Sequence, residues 1–174
     1  CNVSPTGKFS LPGSPLPTDC PAGKYGGVAG QSVCTTCAVG QITPVAGASV
    51  SVPCAAGKFA DTTGRSSCAN CANGFVAGLS GASACEMCVA GKYAGIYNAP
   101  NAAMGTSQES GGPATHCFPC EAGKFNGNPA QMRCTNCTAG SYSNTEIVAP
   151  GLGPGPTACI DSQPGSFVSR SGAV

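Results

Sequence analysis

Large apolar side chains recur along this chain at one fixed offset from a glycine. With Gly7, Gly23, Gly40, Gly57, Gly74, Gly91, Gly123, Gly140 and Gly165 as a ruler, the residues two places on are Phe9, Tyr25, Ile42, Phe59, Val76, Tyr93, Phe125, Tyr142 and Phe167. Seven of these are aromatic in a chain with 6 Phe, 4 Tyr and no Trp, so a single register holds most of the ring surface. The place between carries Lys8, Lys24, Lys58, Lys92 and Lys124. Cysteines precede the glycine as C-x2-C, and the unit C-x2-C-x2-G-K-aromatic returns about every 17 residues. Nine copies of this unit follow one another.

Each unit reads as a small β-hairpin closed by disulfides. The glycine permits a tight backbone, and the aromatic covers a bridge or the neighbouring unit. Gly26-Gly27, Thr63-Gly64, Ser80-Gly81 and Asn126-Gly127 lie midway to the next cysteine, where a hairpin would reverse. No segment has room for a helix. A single unit cannot bury its own apolar face, so stability is expected from stacked neighbours. The fold class expected is small and disulfide-rich, mostly irregular with short β-hairpins, in a linear, solenoid-like rod.

Composition strengthens this picture. With 26 Gly, 15 Pro and few rings, the chain has little large apolar surface to offset the entropy of ordering it. Its 14 Cys are the covalent substitute, and they point to an oxidising, extracellular or cell-surface location. The 8 basic and 7 acidic residues leave a net charge of +1, which argues against nucleic acid as a partner. No apolar run reaches the roughly 18 residues of a membrane span. The chain opens on Cys1 without a hydrophobic leader, so any signal or anchor is expected to lie outside it.

Several units lack a cysteine: Ser4, Pro17, Ser51 and Ser162 stand in C-x2-C positions. Taking units in pairs places modules at 1–33, 34–67, 68–94 and 117–142. Gly/Pro/Ala/Ser-rich linkers or projecting loops fall at 95–116 and 143–158, and a further, truncated module begins at 159–174. The joint loss of Ser4 and Pro17 favours nested pairing, inner with inner and outer with outer. That scheme gives Cys1–Cys20, Cys34–Cys54, Cys68–Cys88, Cys71–Cys85, Cys117–Cys137 and Cys120–Cys134, and leaves Cys37 and Cys159 unmatched. An alternating scheme, first with third and second with fourth, stays open because spacing does not determine connectivity. The aberrant C-x2-S form recurs at Cys159–Ser162 and Cys1–Ser4. The chain is therefore expected to be one period of a longer array, or a subunit adding head to tail, with Cys159 partnered beyond Val174.

The stretch Cys117-Phe-Pro-Cys120-Glu-Ala-Gly123-Lys-Phe125, followed by Cys134 and Cys137, resembles the ephrin-receptor-like cysteine-rich repeat, a cousin of TNF-receptor-type modules. The Ala/Gly/Thr-rich filler, as in Cys54-Ala-Ala-Gly57-Lys-Phe59-Ala-Asp-Thr-Thr, is similar to surface proteins of protists and algae, ciliate surface antigens among them. The resemblance implies coats, stalks or filaments.

Paired C-x2-C motifs also describe zinc sites, but the incomplete modules have no His in register to replace a lost ligand. His116, the only His, precedes Cys117 in repeat register, so a Cys–His nucleophile is not expected. No calcium loop or phosphate-binding loop occurs, and neither enzyme activity, a metal nor a cofactor is expected. Two N-glycosylation sequons stand at Asn2-Val-Ser4 and Asn136-Cys137-Thr138, with Asn2 the less encumbered. Ser10–Thr18, rich in Pro and Ser, suits O-linked or hydroxyproline-linked sugars. The Lys row reads as a solvated face, with recognition of anionic sugars as the alternative.

The function expected is a structural, disulfide-stabilised and glycosylated segment of an extracellular filament, appendage or coat. Its partners would be copies of itself, end to end or lateral, and attached glycans. The alternatives are a receptor or adhesin stalk and a zinc-ordered scaffold.

Overall fold

The computed structural model describes residues 3–96, 106–107, 113–143 and 153–163. The chain divides into two compact units, one comprising Cys1–Asn70 and Leu79–Ala84, the other Cys71–Gly78 and Cys85–Val174. Among the described residues there is no helix. All regular structure is antiparallel pairing of very short strands, apart from one isolated parallel bridge between Tyr93 and Gln131.

In the first unit β1 (Lys8–Phe9) pairs with β2 (Thr18–Asp19), β3 (Lys24–Tyr25) with β4 (Thr35–Thr36), β5 (Gln41–Ile42) with β6 (Val52–Pro53), and β7 (Lys58–Phe59) with β8 (Ala69–Asn70). In the second, β9 (Phe75–Val76) pairs with β10 (Glu86–Met87). There β11 (Lys92–Ile96) lies between β12 (Thr106–Ser107) and β13 (His116–Pro119), β14 (Lys124–Phe125) pairs with β15 (Thr135–Asn136), and β16 (Ser141–Tyr142) with β17 (Ile160–Asp161). The first strand of each hairpin is the Lys–aromatic register, and the second begins just after the position of the next unit's first cysteine, except that β13 starts at His116 and contains Cys117.

A tight turn explains how the sequence makes this shape. In the second sequence repeat, Lys24 N donates to Pro21 O across Ala22 and Gly23, and Gly23 has φ 83°. A glycine at the third place of such a turn relieves the clash that a side chain would suffer. Equivalent bonds, such as Lys58 N to Ala55 O (3.0 Å) and Lys124 N to Glu121 O (3.0 Å), repeat the device.

The hairpins reverse elsewhere than the paired turn residues suggested at two of four places. Gly64 and Gly81 do lie at reversals, but the second strand pair, β3–β4, turns at Ala29–Gly30 rather than at Gly26-Gly27. Ala130, the one described non-glycine at positive φ (57°), replaces Asn126-Gly127 as the turn position. Gly26 and Asn126 are instead buried and joined to neighbouring hairpins.

The interior is thin. The largest fully buried side chains among the described residues are Thr43, Ser4, Ser143 and the cysteines Cys20, Cys37, Cys54, Cys88, Cys120 and Cys137. Many larger aliphatics stay outside, including Val28 at 65 %, Val45 at 63 % and Leu79 at 82 % exposure. Sulfur and backbone fill the space that leucine and phenylalanine occupy in ordinary cores. The clearest apolar cluster lies in the second unit, where Val76, Cys88, Ala94 and Ala114 pack together with Cys117 against them.

Candidate functional site

The feature with the most chemistry is the ladder of disulfides and the backbone seam that runs beside it. Each C-x2-C has an opening cysteine, three residues before the motif glycine, and a closing cysteine three residues earlier. Every described bridge joins an opening cysteine to the closing cysteine of the next unit: Cys20–Cys34, Cys54–Cys68, Cys71–Cys85, Cys88–Cys117, Cys120–Cys134 and Cys137–Cys159. Four of these span a separation of 14 residues.

This order corrects the nested expectation at most positions. Cys34 bonds Cys20 and not Cys54, Cys68 bonds Cys54 and not Cys88, and Cys117 bonds Cys88 and not Cys137. The Cys1–Cys20 pair is likewise excluded, and Cys1 itself lies outside the described residues. Cys159, expected to be unmatched, bonds Cys137. Cys71–Cys85 and Cys120–Cys134 have the same partners in both schemes. Strand pairing is the physical reason. The Lys–aromatic strand binds the residues after the next closing cysteine, and the glycine turn lays the opening sulfur over that same spot.

Consequently the bridges Cys20–Cys34 and Cys54–Cys68 straddle the module boundaries expected at 33/34 and 67/68. The stretches 95–116 and 143–158, expected as linkers or projecting loops, lie inside disulfide loops with separations of 29 and 22. Within the first stretch, β11 ends and β13 begins.

The opening position stays buried at Ser4 and Cys37, where a bridge is lost, while Ser162 is only half-buried. Ser4 is 1 % exposed, and its Oγ donates to Gln31 O at 3.3 Å. Cys37 is a free, buried thiol, because Ser51 stands where its closing partner would be. Its Sγ lies 3.4 Å from Thr43 Oγ1, which in turn donates to Lys24 O at 3.2 Å. Ser51 Oγ donates to Gln41 Oε1. Hydrogen bonds at Ser4, Cys37 and Ser51 thus stand where the sulfur bonds are missing.

Beside the sulfurs, backbone groups join one hairpin to the next. In the first unit Gly7 N donates to Gly26 O, Gly23 N to Thr43 O and Gly40 N to Ala60 O, all at 2.8–2.9 Å. The turn glycines reach back in the same way, with Gly47 N to Cys20 O and Gly64 N to Cys37 O. Contact extends to the hairpin after next: a Cβ on Gly23 would collide with the carbonyl of Gly64, and one on Gly40 with that of Gly81. In the second unit the same approach joins Gly74 to Ala130 and Gly91 to Gly155. Sequence reasoning found the first glycine of each pair and missed the role of the second. The seven-residue offset that marks it is legible at Gly23–Gly30, Gly40–Gly47 and Gly74–Gly81.

Asn126 is a node in the second unit. Its backbone N donates to Pro156 O (3.0 Å), its Nδ2 to Lys92 O (2.7 Å), and its carbonyl accepts from Gly91 N (2.7 Å). The described bases of the two long loops, Gly91–Ile96 and 153–157, therefore meet around one residue, through its backbone and its side chain.

The repeat aromatics Phe9, Tyr25, Phe59, Phe125 and Tyr142 are half-buried, and Phe167 lies outside the described residues. Tyr93 is buried and faces Phe118 across the strand pair, with centroids 5.8 Å apart. Burial raises its phenol pKa above the usual value, and the charge of Glu121 adds to the effect. His116 is exposed, 6.1 Å from Phe118, and its Nδ1 is 2.9 Å from Thr115 Oγ1.

In the Lys row, Lys8 pairs with Asp19 across β1–β2 at 2.7 Å and Lys124 pairs with Glu121 at 3.1 Å. Surface pairs of this kind are worth little. Of the sequons, Asn136 is exposed on β15, and Asn2 lies outside the described residues. A four-thiolate zinc site would need cysteines that are here bonded to one another, and no cluster of metal-ligating side chains occurs among the described residues. Among those residues no helix is long and apolar enough to cross a membrane. No family model matches the chain, and no curated protein does.

Proposed function

We propose that this chain is a structural segment of an extracellular filament, appendage or surface coat, without enzyme activity, built from ephrin-receptor-like cysteine-rich repeats and carrying glycans. The observation that supports the reading is the seam itself. Opening-to-closing disulfides and hairpin-to-hairpin backbone bonds spend the cysteines and glycines on stacking. The six bridges suit an oxidising compartment. Within each unit the hairpins would stack in line as a solenoid does, and a further copy would add by continuing the same bonds. Exposed aliphatics such as Leu11, Val28, Val45 and Leu79 would be covered by neighbouring copies or sugars.

Electron microscopy of the native, oxidised protein tests this reading. Filaments or end-to-end particles that fall apart on reduction are expected, and persistently monomeric particles overturn it. A receptor or adhesin stalk is the second reading. It is favoured by the two long loops whose bases meet at Asn126, since recognition commonly resides on loops held by a rigid scaffold. Monomers that bind a cell-surface ligand would decide for it.

A further inference from the structure

We infer that Asn136 is an N-glycosylation site, and that its sugar is attached before Cys137 enters its disulfide. The inference rests on the extracellular reading above and assigns a modification to one side chain. Asn136-Cys137-Thr138 is a sequon, and both Asn136 and Thr138 are exposed. Asn136 belongs to a two-residue strand whose sheet has one other member, β14, so a bulky group attached there displaces no core residue.

The middle of the sequon is different. Cys137 is fully buried, its backbone N donates to Gly123 O at 2.8 Å, and its sulfur is bonded to Cys159. A transferase must hold the three residues as accessible peptide, and the folded ladder removes that freedom. Transfer therefore precedes closure. The chain favours that order, because Cys137 waits 22 residues for its partner where four other bridges wait 14.

In the first step Asn136 Nδ2 bonds to the anomeric carbon of an oligosaccharide carried on a lipid pyrophosphate. The carbon–oxygen bond to the pyrophosphate breaks, the lipid pyrophosphate leaves, and one amide proton is lost. In the second step Cys137 and Cys159 give up two protons and two electrons to a disulfide oxidant, which becomes a dithiol.

The test is secretion of the full chain from a eukaryotic cell line, glycan release by peptide-N-glycosidase in heavy-oxygen water, and peptide mapping without reduction. A heavy-oxygen label is expected at position 136 in molecules that contain the Cys137–Cys159 bond. Asn136→Gln and Thr138→Ala should each lower the intact mass by one oligosaccharide and leave the disulfide map unchanged. Cys159→Ser, which keeps Cys137 reduced for longer, should raise occupancy. An unmodified Asn136 in secreted, fully bridged protein overturns the site, and lower occupancy in Cys159→Ser overturns the order. Electron microscopy of the same samples separates the two proposals, because assembly without a glycan at Asn136 removes this one and leaves the structural role standing.

Discussion

The two units solve the same problem with different proportions of covalent and non-covalent material. In the first, hairpin follows hairpin at nearly constant spacing, and two of the rungs are absent: Ser4 with Pro17, and Cys37 with Ser51. Two bridges, Cys20–Cys34 and Cys54–Cys68, remain there. The second unit has four bridges, the Val76–Ala94–Ala114 cluster and the Tyr93–Phe118 pair, and it also holds both long loops. Where spacing is regular, backbone bonds to the next hairpin let a rung be lost. Where a loop lengthens, the bridge is kept, because the entropy removed from the unfolded chain grows with the loop it closes.

The largest effect is expected from cutting the longest loop. Replacing both Cys88 and Cys117 with Ala should cost about 3.5 kcal/mol in loop entropy alone, with packing loss in the cluster added, against about 3 kcal/mol for Cys54 and Cys68. Denaturant unfolding of the two double variants checks the order, and an equal or reversed ranking would break the contrast between the units. Next comes the seam. Gly40→Ala places a Cβ against the Gly81 carbonyl at a residue with φ 76°, and about 3 kcal/mol should be lost to strain and overpacking, read as a fall in Tm.

A smaller effect, of opposite sign, sharpens the comparison. Ser51→Cys supplies the missing closing position opposite Cys37 and should add about 2 kcal/mol of stability, less than the full loop value because Thr43 already satisfies the thiol. Loss of the only titratable thiol among the described cysteines, followed with a thiol reagent after denaturation, confirms the bond. Smallest is Lys8→Ala. It breaks the exposed pair with Asp19 and should cost less than about 1 kcal/mol, vanishing at high salt; a loss comparable to Gly40→Ala would mean that charge, not the seam, holds the first unit.

Much of the fold was legible from the Gly–Lys–aromatic register, since a β-hairpin is a local object and Lys24–Tyr25 sits beside the glycine that turns into it. Two of the paired turn residues, Gly26-Gly27 and Asn126-Gly127, misled because they look like hairpin tips. Gly26 and Asn126 are actually seam residues, whose small or amide side chains suit close approach by the next backbone. The candidate ladder was half legible. That cysteines such as Cys20 and Cys88 form disulfides follows from their density and register, whereas their partners depend on which strand lies beside them.

By itself, then, the sequence determined the repeat, the hairpin, the thin core and the recruitment of cysteines to hold it, because these depend on residue type and on neighbours a few places away. Only the tertiary structure decided the order of the bridges, the return of Cys159 to Cys137, the isolation of Cys37 and the seating of one glycine against another two hairpins on. Those outcomes depend on distances across space. In a chain where every unit offers nearly the same cysteines at the same spacing, several pairings fit the sequence equally well, and the pairing of each Lys–aromatic strand with the strand after the next closing cysteine selects one.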